Sequence, residues 1–215
     1  MQEQTTKFVR VWDPFVRIGH WTLVASFFIA YFTEDEWLTT HVWAGYILGA
    51  VILFRLVWGL IGTRHARFND FLKSPETITS YLKSLRRGPV QHYVGHNPAG
   101  GIMIVLMLIC LSITVYTGLE LYAIEENAGP FASLDQSVND AGEANSKDHE
   151  VAHQTIYHDG VYPSDAEEFW EELHELFANL TLLLIILHVS GVVVSSRLHG
   201  ENLVKAMLTG NKLRR

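Results

Sequence analysis

The sequence predicts an all-α membrane protein, a four-transmembrane-helix bundle with a long acidic outer loop between its third and fourth helices. Three observations predict it. Four stretches, Phe15–Thr33, Val42–Gly62, Ala99–Leu121 and Leu173–Ser196, are apolar over the roughly 20 residues that a helix needs to cross a bilayer. Lys and Arg collect in alternate connections, while the others are almost wholly acidic. Histidines recur inside the apolar runs, where an ionisable side chain is costly enough to point to function. The overall charge of −7 and 18 % charged residues would suit a soluble domain, but they average two very different surfaces.

Taken in order, the first span follows a short polar arm holding Lys7, Arg10 and Asp13. No small-residue cleavage pattern follows it, so it is expected to stay as a helix and not be removed as a leader. Glu34, Asp35 and Glu36 dominate the first connection. The inner loop, 63–98, carries Arg64, Arg67, Lys73, Lys83, Arg86 and Arg87. Within it, Pro75–Arg86 reads as a surface helix: Ser74, Pro75 and Glu76 make a fair start, and Ile78, Tyr81, Leu82 and Leu85 share a face. Cys110, the only cysteine, lies in the third span and is read as a packing residue; a disulfide, an iron–sulfur cluster and covalent haem attachment through CxxCH are excluded.

The outer loop, 122–172, is the most biased segment. From Glu120 to Glu175 fifteen acidic residues stand against the single Lys147. After the fourth span come Arg197, an amphipathic piece Asn202–Leu208, Lys205, Lys212, Arg214 and Arg215. Positive residues favour the cytoplasmic side, which places both termini inside a bacterial inner membrane and leaves a strongly anionic outer face. One membrane domain, 1–215, is expected, with the lipid bilayer as its surroundings, no nucleic-acid partner, and a homodimer left open.

Two histidines lie fourteen apart in the fourth span, His174 near its outer end and His188 deep inside. Fourteen steps of about 100° come within about 40° of four full turns, so both rings share a face about 21 Å apart along the axis. The first span runs outward and carries His20 near its inner end, at the depth of His188. The second begins outside with His41, at the depth of His174. The pairs are therefore His20 with His188 and His41 with His174, and two imidazole pairs at two depths point to the axial ligation of two b-type haems, the other readings being interhelical hydrogen-bonded contacts, a proton relay or metal transport. Gly45, Gly49, Ala178 and Gly191 share the histidine faces and leave room for flat macrocycles, or simply let helices pack closely. Arg55, fourteen residues after His41, is a candidate partner for a haem propionate, or an arginine snorkelling to the inner headgroups. A transporter would be expected to show internal repeats or broken helices, and neither is evident.

RIGHW in the first span, FRLVWGLIGTRHARFNDF closing the second, EELHELFANL with a histidine fourteen residues on, and the tail GENLVKAMLTGNK resemble the bacterial cytochrome b561 family, in particular cytochrome b subunits serving respiratory hydrogenases and c-type cytochromes. The resemblance covers about residues 8–122 and 167–213. It implies a four-helix bundle with two haem b groups ligated by His20, His41, His174 and His188, exchanging electrons between a periplasmic c-type cytochrome or oxidoreductase and the quinone pool. The Thr-Gly end of the hydrogenase-type signature is absent from the first span, and so is a doubled His-His from the fourth, which weakens a hydrogenase partner. One branch of the family oxidises superoxide; an anionic outer face would repel that substrate and attract a cationic protein.

Other aromatic and histidine positions have lesser roles. Trp21, Trp43, Trp58 and Trp170 read as interface anchors. His65, Tyr93 and His96 lie where a quinone head group could be protonated, and His92, His96 and His199 otherwise read as solvated. One competing motif remains. Residues 149–153, HEVAH, fit the HExxH pattern of zinc peptidases, in which two histidines hold the metal and the glutamate is the base. His158 and nearby carboxylates could complete such a site. The motif falls in the outer loop, rich in His and Glu, with no long apolar helix to hold it, so the function expected is electron transfer and the alternatives are a superoxide oxidase and a membrane-attached zinc peptidase.

Overall fold

The computed structural model describes residues 7–34, 36–87, 97–132 and 165–214. In order these form β1 (Lys7–Arg10), α1 (Pro14–Phe32), α2 (Leu38–Ile61), a 3-10 turn (Arg64–Ala66), α3 (Phe68–Phe71), α4 (Pro75–Arg87), α5 (Pro98–Glu126), α6 (Asp165–His199), α7 (Leu203–Thr209) and β2 (Asn211–Arg214). Four of these helices, α1, α2, α5 and α6, are long and apolar enough to cross a membrane. The protein is an all-α membrane protein with one small ribbon. Large apolar side chains such as Ile18, Phe32, Leu53 and Leu60 are exposed on these helices, the inverse of a soluble core and the arrangement lipid requires.

The expected spans all appear, with ends that differ. His41 lies within α2, which begins at Leu38, because Thr and His are tolerated in a first helical turn although they lower its apolar count. α5 runs on to Glu126, and α6 begins at Asp165. Residues 122–126 and 165–172, expected as outer loop, are therefore helical. Asp165, Glu167 and Glu168 in the first turn of α6 complement the positive end of its dipole, which an apolar-window reading does not weigh.

The chain divides into two compact units, Met1–Ser112 with Asn179–Arg215, and Ile113–Ala178. In the first, α1 and α2 pack together around Phe27, Leu48 and Ile52. Asp13 caps α1 by accepting the Val16 amide at 2.9 Å, and Pro14 follows where its missing N–H costs nothing. The other Asp13 oxygen accepts from the Trp58 indole at 3.2 Å and from the Thr63 hydroxyl, tying the start of α1 to the end of α2. Gly59 must be small because a Cβ there would overlap the Phe68 ring. Cys110 is buried, as a packing residue should be.

The termini form a clasp in this same unit. β1 pairs antiparallel with β2 from Lys7↔Arg214 to Arg10↔Asn211, and Val11, Trp12 and Ala206 bury one another beside it. Asn202 caps α7 by accepting the Lys205 amide, and Gly210, at φ 83°, ends it. Arg17, one turn into α1, donates to the carbonyls of Met207 and Leu208, the negative end of α7.

Candidate functional site

The inner histidines are brought together within the first unit. His20 on α1 and His188 on α6 are both half-buried, and their ring centres are 6.4 Å apart with planes inclined at 58°. A metal–imidazole bond of about 2 Å on each side of one iron separates the two ring centres by about 6 Å, once the distance from nitrogen to ring centre is added. The separation is also within the range of ordinary tilted aromatic pairs. What distinguishes this pair is that each ring is an imidazole and that both sit on helices that can span the membrane. Trp21, expected as an anchor, meets the His20 ring edge-on at 5.3 Å.

On α2, His41 has its proton assigned by its neighbour. Its Nδ1 lies 2.9 Å from the carbonyl oxygen of Ala30, which can only accept, so Nδ1 carries the hydrogen and Nε2 the lone pair. That is the tautomer a metal-ligating histidine adopts when a second group fixes its ring.

His174 shows the same logic in the second unit. Its Nδ1 lies 3.1 Å from the hydroxyl of Thr117 on α5. The hydroxyl owns one proton and lies 2.9 and 3.0 Å from the carbonyls of Ile113 and Thr114, so it donates to the backbone and accepts from His174. Nε2 again keeps the lone pair. Gly118 is the other half of this hold: a Cβ there would stand 2.8 Å from His174 Cε1. Neither Thr117 nor Gly118 was singled out from the sequence. The dipeptide Thr-Gly at 117–118 was the available signal, but it stands on α5, not on the first span where a Thr-Gly was sought.

Small residues leave space where a planar group would need it. A Cβ added at Gly45 or at Gly191 would have no neighbour within 4 Å, and Gly49 is half-buried on α2. The open space at Gly45 and Gly191 and the inner histidine spacing both fit a b-type haem. Arg55 donates to the Ala66 carbonyl at 3.0 Å and lies over the rings of Phe68 and Phe71, so part of its work is to hold the segment after α2. His65 pairs with Asp70 at 2.9 Å. His92, Tyr93, His96 and the HEVAH motif with His158 lie outside the described residues, as does the side chain of His199. Among the described residues no cluster of metal-ligating side chains forms a conventional metal site.

The model of the family described as prokaryotic cytochrome b561 matches residues 11–210. The chain belongs to the prokaryotic cytochrome b561 family. No curated protein and no solved structure matches it. As a cytochrome b561 it is a multi-pass membrane protein that carries b-type haem and transfers electrons. Haem supplies the one-electron iron couple; the chain supplies ligands, their orientation and the surrounding dielectric.

Proposed function

We propose that this cytochrome b561 carries two b haems, one between His20 and His188 and one between His41 and His174. Electrons pass between a redox partner outside the bacterial inner membrane and the quinone pool. The observation that carries the reading is the His20–His188 relation, two imidazoles from different spanning helices at a separation that accommodates one iron. The hydrogen bonds at Nδ1 of His41 and His174 support the outer pair, because each leaves Nε2 as the ligating nitrogen.

Gly45, Gly49, Ala178 and Gly191 give the macrocycles room, and Arg55 offers a propionate the N–H groups that Ala66 does not take. The Lys and Arg distribution supports cytoplasmic termini, with the inner pair toward the cytoplasmic side and the outer pair toward the acidic face. On that face the partner is a c-type cytochrome or an oxidoreductase.

The experiment is spectroscopic. Purified protein should show a Soret band and a b-type α band on reduction, with a pyridine haemochrome assay giving two haems per chain. His188→Ala and His174→Ala should each leave one. A chain purified after adequate haem supply without a Soret band would end the proposal, and one haem per wild-type chain would remove the outer site.

A further inference from the structure

The second unit ends outward in a feature that ligating a haem does not require. α6 has 35 residues, about 52 Å of helix, whereas a bilayer core takes about 20 residues. Its apolar run starts after Glu175, so residues 165–175 extend the helix about 16 Å further. Phe169, on this extension, is 56 % exposed. It is a large apolar ring set among acidic residues, outside the apolar run of the helix.

This ring begins a chain of aromatic contacts that leads inward. Phe169 meets Trp170 with ring centres 5.2 Å apart, and Trp170 meets Tyr116 on α5 at 5.8 Å. Tyr116 precedes Thr117 and Gly118, the two residues that hold His174. Trp170 is itself one turn, about 6 Å, above His174 on the same helix. Around Phe169 stand Asp165, Glu168, Glu171 and Glu172, all exposed, and from Gly88 to Ser196 the only Lys or Arg is Lys147.

We propose that this end of α6 docks a soluble one-electron carrier whose basic rim surrounds the exposed edge of its redox group. Phe169 is the apolar centre of the contact, the carboxylates are its charged rim, and Trp170 with Tyr116 forms the path to the group held at His174. The partner would lose one electron, and a haem held by His174 would take it up. This rests on the reading of an outside redox partner and names the surface and the charge that partner must have. Opposite charges steer such an encounter and lose their reach as salt rises, while the apolar centre fixes the pose.

The test uses full-length haem-loaded protein in detergent and two reductants, a small basic c-type cytochrome in its ferrous form and an anionic ferrous chelate. With Glu168→Gln/Glu171→Gln/Glu172→Gln, the second-order rate with the basic cytochrome at low ionic strength should fall at least tenfold, and its salt dependence should flatten. The rate with the anionic chelate should rise. Trp170→Leu should lower the limiting rate at saturating cytochrome without altering the salt slope, and Trp170→Phe should restore most of it. Unchanged haem spectra establish that each variant is loaded. Equal rates and salt slopes in the triple variant and wild type overturn the dock, and an unchanged limiting rate in Trp170→Leu overturns the path. If quinol reduces the wild type and the basic cytochrome does not, the outside-partner reading fails and the dock with it.

Discussion

The Thr117 hydroxyl accepts from Nδ1 of His174 at 3.1 Å while giving its own proton to the backbone of the preceding turn. One side chain thus sets both the tautomer and the tilt of a proposed haem ligand, from a neighbouring helix. The bond is worth about 1 kcal/mol in stability, but outer partners of metal ligands affect metal affinity by about 10- to 100-fold.

Thr117→Val keeps the shape and removes the acceptor. Haem affinity at the His174 site should fall about 10- to 100-fold, with the inner site unaffected. Thr117→Ser should retain wild-type binding. Haem titration into apoprotein reads both, and equal affinity in Thr117→Val and wild type would mean that the hydroxyl does not orient the ligand.

Gly118→Ala acts on the same ring sterically. The added Cβ would meet Cε1 at 2.8 Å, closer than atoms tolerate, and both lie on packed helices that yield little. The ring must turn, so the variant should bind one haem per chain in place of two while retaining its helical circular dichroism. Full occupancy would show that His174 can rotate without losing its ligand geometry.

These two positions show where sequence reasoning stops. His20, His41, His174 and His188 stand out in the sequence because a spacing of fourteen and a common depth are properties of a helix in a membrane, and both can be counted. Thr117 and Gly118 act across a helix pair, and no periodicity within α5 marks them. The ribbon between β1 and β2 was missed for a similar reason, since Lys7 and Arg214 pair at opposite ends of the chain. The start of the fourth spanning helix moved because its polar first turn, Asp165–Glu168, is stabilised by a dipole effect that an apolar count ignores. Pairing of His20 with His188 needed only depth and sign of direction, and their ring centres stand 6.4 Å apart.

Asp13 makes the junction of α1 and α2 sensitive to acid. Burial raises its carboxyl pKa, but hydrogen bonds from Thr63, the Val16 amide, Trp58 and the Phe15 amide outweigh this and hold it below the ordinary value. A depressed folded-state pKa contributes stability that is complete above the unfolded value, about 3.9, and is lost as pH falls through the folded one. Thermal melts of wild type and Asp13→Asn should therefore differ most at neutral pH and converge on acidification below about pH 4. A constant difference across that range would show that the charge of Asp13 is not what the junction uses.

Gly210 tests whether the terminal clasp is built or incidental. Its φ of 83° is in the left-handed region, and a Cβ would lie 2.8 Å from the Trp12 carbonyl and 3.1 Å from Arg17 Nη1. Gly210→Ala combines backbone strain of about 1–3 kcal/mol with a clash against the residue that caps α7. Arg17 would have to release the Met207 or Leu208 carbonyl, and Val11, Trp12 and Ala206 would lose their common packing. Amide hydrogen exchange should speed up in β1, α7 and β2 while protection in α2 stays unchanged. Because Arg17 lies one turn before His20, the inner haem's midpoint potential should move with it, and the outer one should not. Local opening without any change in potential would confine the clasp to a structural role.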